Sequence, residues 1–462
     1  MKAVPVQQAN HVGHLVEFLA ALSLRDVPTC IVARARRVLL DSLGCGLFGA
    51  TQLWSKAAVQ AAARDRSSGD CSVFAQRDAY AAPLAALCNG IATHGYELDD
   101  LIAEAVVHPG AVVVPAVLAA AENTGASGER VVLGVLAGYE MMARLGMAIG
   151  LEPGKRGYHT TGITGPVAAA TAAGVTMGYT VDRLLSTIGL ACSTAAGIKS
   201  FAGGSGGGMV KRMHAGRSAE AGVRLCQMAD CGFEGPRAAI EGRFGLLEVL
   251  SGSSAAPAQL SAALSERWAL EQVWVKVYPM CGLIQGVTQV LDRIKSEHRP
   301  NPAEIERVRV GVSHHAARHN SERFPADTMA AQYSIPYCVG VALAGDAADP
   351  GSYAPDRLAD PLTRKLAACT ELYVDPEVEA AYPAHYGARV VVELRCGQRH
   401  EGYDLNPHGT PEHPCTDEEI AQKFRRLGRA SCNDAQLNTL IEFVGRVEQL
   451  ETLRPLSAAL RS

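Results

Sequence analysis

Three short stretches of this chain concentrate side chains that move protons or hold anions. The first is His94-Gly95-Tyr96-Glu97-Leu98-Asp99-Asp100, followed by His108-Pro109-Gly110. Three carboxylates in four residues repel one another, so solvent, a metal or a cationic pocket must offset them. On a continuing helix Glu97 and Asp100 share a face and Asp99 points elsewhere. A histidine fixed beside a proline is a candidate acid/base or carboxylate-binding group. The plainer reading is a solvated helix end and a loop. The second stretch is Lys155-Arg156-Gly157-Tyr158-His159-Thr160-Thr161-Gly162, just ahead of helical texture at 165–174. Its cations, imidazole and hydroxyls suit an anion beside a helix N-terminus; the alternative is an ordinary interhelical loop. The third is the glycine-rich run 202–208, leading into Met209-Val210-Lys211-Arg212-Met213-His214-Ala215-Gly216. It is not a phosphate loop, because Met209-Val210 separate Gly208 from Lys211, and no strand precedes it as a dinucleotide site requires. It suits a lysine that reaches a carboxylate as a point charge at a helix start.

Two other groups invite chemistry and fit it less well. His314, His315 and His319 include an i,i+4 pair, but no HExxH glutamate and no clustered Cys or carboxylate completes a metal set. The expectation is a surface loop and no metal. Cys281, in Tyr278-Pro279-Met280-Cys281-Gly282, is a candidate nucleophile or one bystander among thirteen cysteines.

The elements that must position these groups read as helix after helix from about 11 to 263. Apolar residues recur at Ile31, Ala35, Val38, Leu39 and Leu43, a helical spacing. Ser127 and Thr180 open helices, and Gly125, Gly178 and Gly232 close them. From about 268 the texture changes. Residues 273–277, 307–313 and 388–395 read as strands, with Gly397-Gln398 turning into 400–405, and helices at 282–297 and 329–344 between them. After Pro414 a capping box from Thr416 to Glu419 reopens helical texture at 418–427 and 434–449. The expected fold is mainly α. One helical domain is built from 1–267 and 409–462, and an α+β lid of 268–408 is inserted into it; clefts between such domains are common ligand sites.

The chain has 462 residues, 48% hydrophobic and 19% charged, a globular composition. A net charge of −4 argues against a nucleic-acid or polyanion binder and leaves room for a local basic pocket. With 5% aromatics and 46 glycines, close helix packing is expected. The longest apolar runs, such as 110–121, contain about a dozen residues against roughly 20 for a membrane span. Residues 1–10 have no apolar core, so no secretory signal and no membrane association are expected. Thirteen cysteines without a CxxC pair fit a reducing, cytoplasmic setting.

Taken together, the segments resemble the MmgE/PrpD family, which includes 2-methylcitrate dehydratase, cis-aconitate decarboxylase and iminodisuccinate epimerase. The resemblance rests on Glu97 to Asp100 with His108-Pro109-Gly110, on Gly138-Tyr139-Glu140 with Arg144-Leu145-Gly146, and on Gly157 to Gly162. It continues through Lys211-x-x-His214-Ala215-Gly216, Lys276-x-Tyr278-Pro279-x-Cys281, Gln332-Tyr333-Ser334-Ile335-Pro336-Tyr337 and Thr416 to Phe424. It implies a helical domain from both chain ends, an α+β lid, a homodimer and no cofactor. It also implies site groups at Glu97 or Asp99, His108, His159, Lys211 and Tyr337, with Arg156, Thr160, Tyr278 and Gln285 beside the substrate. The chain departs from the family at Gln285, where a histidine is common, at Leu101, where threonine is common, and in a one-residue-longer spacing from Asp100 to His108. The implied chemistry is removal of a proton α to a carboxylate of a small di- or tricarboxylate. Lys211, His159 and Tyr337 stabilise the charge that develops, and His108, Asp99 or Glu97 acts as base. A 2-methylcitrate dehydratase-like lyase is the leading expectation. Epimerisation of an iminodisuccinate-like diacid and cis-aconitate-type decarboxylation are the alternatives, and a non-enzymatic ligand-binding descendant is less supported.

Overall fold

The computed structural model describes residues 10–65, 68–202 and 208–461. The chain divides into two compact units. The first comprises Met1–His94, Glu104–Gln272 and Phe424–Ser462; the second comprises Gly95–Ala103 and Val273–Lys423. These boundaries differ from the sequence reading by a few residues at 272/273 and more at 423/424. The main departure is 95–103, which goes to the second unit. Backbone pairing explains it: Leu101 donates to the Trp274 carbonyl at 3.0 Å and accepts from the Trp274 amide at 2.8 Å. Lys423 Nζ donates to the Leu98 carbonyl at 2.8 Å.

The first unit is a stack of helices. Gly110–Thr124, Gly128–Ile149, Thr160–Thr176 and Met209–Asp230 pack on one another and on Ala82–Thr93. Ser127 and Thr180 accept from the amides of Arg130 and Arg183, as N-caps do. Small residues set the spacing where Ala82–Thr93 meets Met209–Asp230. A Cβ on Gly90 would stand 2.7 Å from the Gly216 Cα, and one on Gly216 would stand 2.5 Å from the Leu87 carbonyl oxygen. Those backbones touch, and the contact lies next to Lys211 and His214. Gly216→Val is therefore expected to cost about 1–3 kcal/mol by overpacking, measured by urea unfolding. A loss under about 0.5 kcal/mol would show that the helices part without resistance.

Gly128–Ile149 is long and apolar enough to cross a membrane by length and composition, contrary to the sequence reading of the longest apolar runs, but 94% of its apolar window is buried within the unit. It also carries a buried ion pair. Arg144 Nε donates to Glu140 at 2.7 Å, and the guanidinium reaches the carbonyls of Ala262 at 2.6 Å and Arg267 at 3.1 Å. Glu140 in turn accepts from the Ala269 amide at 2.6 Å. The Gly138-to-Gly146 motif thus pins the 262–269 segment to the core.

The second unit holds a four-stranded mixed sheet in the order Thr370–Val374, Ile305–Val312, Ala388–Leu394, Arg399–Asp404. The first pair is parallel and the others antiparallel, with Val310 opposite both Leu372 and Val390. Gly397, at φ +87, makes the expected tight hairpin. Gly282–His298 packs across Ala388–Leu394 and Arg399–Asp404. Two expectations are corrected, and one strand is new. Residues 273–277 are no strand, only a bridge at Trp274 to Leu101. The helix read at 329–344 is two, Thr328–Gln332 and Ile335–Ala344, because Ser334 caps a new helix with Pro336 in its first turn. Thr370–Val374 was not anticipated. Tyr337 and Ser334 lie at the start of the second of those helices, which fixes where that tyrosine points.

Candidate active site

In the first unit, three helix starts carry the expected groups. His108 precedes Gly110–Thr124, His159 is the N-cap of Thr160–Thr176, and Lys211 lies in the first turn of Met209–Asp230. A fourth group, His94, caps the C-terminus of Ala82–Thr93. Their rings form a chain. Centroids are 5.0 Å apart for His94 and His108, 5.9 Å for His94 and His159, and 5.2 Å for His159 and His214. Phe201 stands edge-on to His159 at 5.4 Å and to His214 at 5.9 Å. Local hydrogen bonds hold the frame: the His108 amide donates to Thr161 Oγ1 at 3.2 Å, and the His159 amide to the Gly197 carbonyl at 3.0 Å. His94, His159, His214 and Lys211 are buried, and His108 is half-buried. The five residues 203–207 of the glycine run lie outside the described residues.

The key contact is His159 Nδ1 to His214 Nδ1 at 3.0 Å. One Nδ1 must donate and the other accept. If both rings are neutral, the donor ring carries its proton on Nδ1 and has a bare Nε2. The acceptor ring carries its proton on Nε2. The pair therefore presents one N–H and one lone pair, an acid and a base in register. The electrostatics favour neutrality. Burial holds His159 well below the ordinary imidazole value, with His94, Lys211, His108 and His214 adding to the effect. Burial, with His94 and Lys211, brings His214 down to about 4. A lysine that depresses two histidines supplies the positive charge without leaving the imidazoles charged.

Arg156 is not part of this group; it is exposed and donates to the Leu250 carbonyl at 3.0 Å. Lys155 is exposed and paired with Glu152 at 2.6 Å. In this stretch the two cations are exposed, while His159, Thr160, Thr161 and Gly162 are buried. Thr160 sits in the first turn, its carbonyl accepting from Thr164. Arg212 stacks over Trp54 at 4.8 Å and donates to the Gly208 carbonyl, a packing role.

In the second unit, the acidic segment is buried, not a solvated helix end. Glu97, Asp99 and Asp100 are each 1% exposed. Nor does the helix continue: Ala82–Thr93 stops at His94, and Glu97 adopts φ +56, a left-handed conformation rare for a side-chain-bearing residue. Glu97 accepts from Lys276 Nζ at 3.3 Å and from the Tyr333 hydroxyl at 3.3 Å. Burial alone would lower the Lys276 pKa, but Glu97 and Asp99 outweigh it and the pKa is raised. The offsetting group that the three carboxylates required is thus a buried lysine. Gln332 Nε2 donates to the Tyr96 carbonyl at 2.8 Å, so two neighbours in one motif grip 96–97.

Tyr278, Gln285 and Tyr337 each have partners within the second unit. Gln285 accepts from the Tyr278 amide at 3.2 Å and donates to the carbonyls of Tyr278 at 2.8 Å and Met280 at 3.1 Å. Its amide is spent on holding the Tyr-Pro turn. The Tyr278 hydroxyl donates to Asp292 at 2.9 Å. The Tyr337 hydroxyl lies 3.4 Å from the Ser352 carbonyl and 3.3 Å from that of Arg357, and burial pushes its pKa up to about 12. His94, His214, Lys276 and Tyr333 stand in the motifs quoted from the sequence but were not among the site groups expected there. His214 was legible as i+3 from Lys211 on one helix face; the pairing of Lys276 and Tyr333 with Glu97 is too distant in sequence to be read locally.

Family models match at residues 13–259, the MmgE/PrpD N-terminal domain, and 278–449, the MmgE/PrpD C-terminal domain. The chain is 27% identical to a cis-aconitate decarboxylase of Aspergillus terreus over 96% of this chain and 94% of that protein. It is 27% identical to the cis-aconitate decarboxylase-like protein oryM of Aspergillus oryzae over 98% and 97%. It is 24% identical to the cis-aconitate decarboxylase of Homo sapiens over 93% and 90%.

Proposed function

Because this chain belongs to the MmgE/PrpD family, we propose that it is a cofactor-independent lyase that moves a proton α to a carboxylate of a small di- or tricarboxylate. The observation that carries this is the buried Lys211 beside the neutral, hydrogen-bonded pair His159–His214. Lys211 holds a carboxylate as a point charge, and the N–H of the pair donates to the charge that develops on it. His108, the half-buried end of the ring chain, is the base. Glu97 is the weaker candidate, since its carboxylate is engaged by Lys276 and the Tyr333 hydroxyl. Dehydration follows if a β-hydroxyl then leaves; reprotonation on the other face gives epimerisation. A second reading, decarboxylation of a cis-aconitate-like triacid, is favoured by the near full-length similarity to cis-aconitate decarboxylases. Loss of carbon dioxide leaves an electron pair that the retained carboxylate delocalises and an acid protonates, so the same cation and proton carrier serve.

A panel of 2-methylcitrate, citrate, cis-aconitate and iminodisuccinate, followed by proton NMR in D2O, tests both. Deuterium is expected to enter a carbon α to a carboxylate in at least one of them. Turnover of cis-aconitate alone, with carbon dioxide released, would select the second reading, and no exchange or turnover in any would sink the proton role. Lys211→Ala removes a charge-assisted contact of about 1.5–3 kcal/mol, so kcat/KM is expected to fall roughly ten- to hundredfold. Lys211→Arg should recover little, because a forked guanidinium does not replace a point charge.

The pH profile follows from the neutral pair. A histidine held below its ordinary value protonates only at lower pH, so protonation of the pair is expected to add a loss of kcat/KM well below pH 6.5, toward about 4, distinct from the limb set by the base His108. Stability moves the same way. The unfolded chain takes up these protons near pH 6.5, so this contribution is whole above 6.5 and is lost as pH falls toward about 4. In Lys211→Met the loss from the pair should move up, since one cause of the depression is gone. Absence of any further loss of kcat/KM between pH 6.5 and about 4 would contradict a neutral pair.

A further inference from the structure

The second unit contains a compact donor set that the proposed reaction does not use. His408 Nε2 lies 2.9 Å from Glu419 Oε1, and the Cys415 sulfur completes a trio whose ligating atoms all lie within 4.8 Å of one another. His413 stands edge-on to His408, with ring centroids 4.7 Å apart. All four residues fall within 408–419.

The backbone fixes this loop in place. The Gly409 amide donates to the His413 carbonyl at 2.7 Å, the His413 amide to the Thr410 carbonyl at 3.1 Å, and the Val275 amide to the Gly409 carbonyl at 3.0 Å. Gly409 adopts φ +94, and a Cβ there would stand 2.1 Å from the Val275 carbonyl oxygen, so glycine alone permits the approach. The His408 amide donates to Gln289. Glu419 is held from the other side: its Oε2 accepts from both the amide and the hydroxyl of Thr416 at 2.8 Å, which leaves Oε1 facing His408. The side chains of His408 and Glu419 are 25% and 44% exposed, so an ion reaches them from solvent.

We propose that His408, Cys415 and Glu419 bind Zn²⁺ and so fasten the 406–416 loop to the start of Asp417–Gly428. The donors are one imidazole nitrogen, one thiolate and one carboxylate oxygen, the mixed set that zinc accepts. Donors about 2.0–2.3 Å from a tetrahedral zinc stand roughly 3.3–3.8 Å apart, so atoms already within 4.8 Å need only side-chain rotation. Zinc takes the lone pair of His408 Nε2, the proton between His408 and Glu419 moving to His408 Nδ1, and the Cys415 thiol releases its proton to solvent. His413 supplies the fourth ligand by turning about its side-chain bonds.

The test uses the full-length protein, stripped with a chelator and titrated with ZnCl₂ or CoCl₂. Cobalt is expected to give one equivalent of binding with a thiolate-to-cobalt charge-transfer band. Metal held by the histidine cluster of the first unit would show no such band, so the two sites are distinguishable. Cys415→Ser should abolish the band, and Cys396→Ser, at an exposed cysteine elsewhere, should leave it. His408→Gln should weaken zinc by more than the roughly 10–100-fold that loss of an outer partner costs. Zinc should raise the melting temperature of the unmodified protein and not that of Cys415→Ser. Cobalt binding without the band, or a band that survives Cys415→Ser, would overturn the proposal, and the unmodified protein alone decides the first of these.

Discussion

Lys276→Met is expected to destabilise the protein by about 3–5 kcal/mol, the cost of leaving a buried charge without its partner. Lys276 and Glu97 are each about 1% exposed, 3.3 Å apart, and Asp99 adds to the negative charge that Lys276 offsets. The lysine also sustains a strained backbone: a non-glycine residue at φ +56 costs about 1–3 kcal/mol, and the ion pair at Glu97 helps hold it there. The sign of the pH dependence follows. Lys276 titrates above its ordinary 10.5, so its contribution is whole below that pH and is lost only as pH rises beyond it. In Lys276→Met the orphaned carboxylates should regain stability on acidification, since a protonated carboxyl needs no cation. Urea unfolding of Lys276→Met, Glu97→Gln and the double variant measures it. The double variant should lie above Lys276→Met, because it buries no unpaired charge at Glu97. A loss below about 1 kcal/mol in Lys276→Met would mean that the pair behaves as a surface pair.

His108→Asn is expected to lower turnover by about 10²–10⁴ with little change in substrate affinity, the signature of a lost proton carrier. Asparagine keeps the size and a hydrogen-bonding end, so the loop held by the His108 amide and Thr161 should survive. Exchange of the substrate α-proton in D2O should stop in this variant. His214→Asn should act differently. It breaks the Nδ1–Nδ1 bond and removes one cause of the low His159 pKa, so the acid limb should shift upward as turnover falls. Continued exchange in His108→Asn would move the base role to Asp99, Glu97 or Lys211.

Much of this was legible where the physics is local. Ser127 and Thr180 announce their helices because a cap acts over three residues, and Gly397 announces its hairpin because only a left-handed residue closes it. Three of the groups clustered in the first unit, His108, His159 and Lys211, were legible as residue types beside helix starts. Glu97 was misread because its conformation is set by Lys276 and Tyr333, 179 and 236 positions away, and not by helix propensity. The alternating residues 273–277 looked like a strand, yet Trp274 pairs with Leu101 and Val275 with Gly409, two different partners that build no ladder. Tyr337 came from the resemblance, and nothing in the spacing said that its hydroxyl would lie near backbone carbonyls while that of Tyr333 reaches Glu97.

The way the first unit is assembled also bears on how the chain leaves the ribosome. Helix Thr29–Gly49 rests on the far end of the chain: Phe424 lies against Gly44, Arg36 pairs with Glu448, and Ser431 donates to the Leu47 carbonyl at 3.1 Å. The Gly128 amide donates to the Leu450 carbonyl at 2.8 Å, and Ser72 to that of Ser457 at 3.3 Å. All of those partners are made after the second unit, roughly 150 residues after Gln272. At about 5–20 residues per second, the early helices wait some 8–30 s with apolar faces uncovered. Nascent chains halted before Phe424 should therefore be sticky, chaperone-held species, and the last forty residues are what turns them into a native protein.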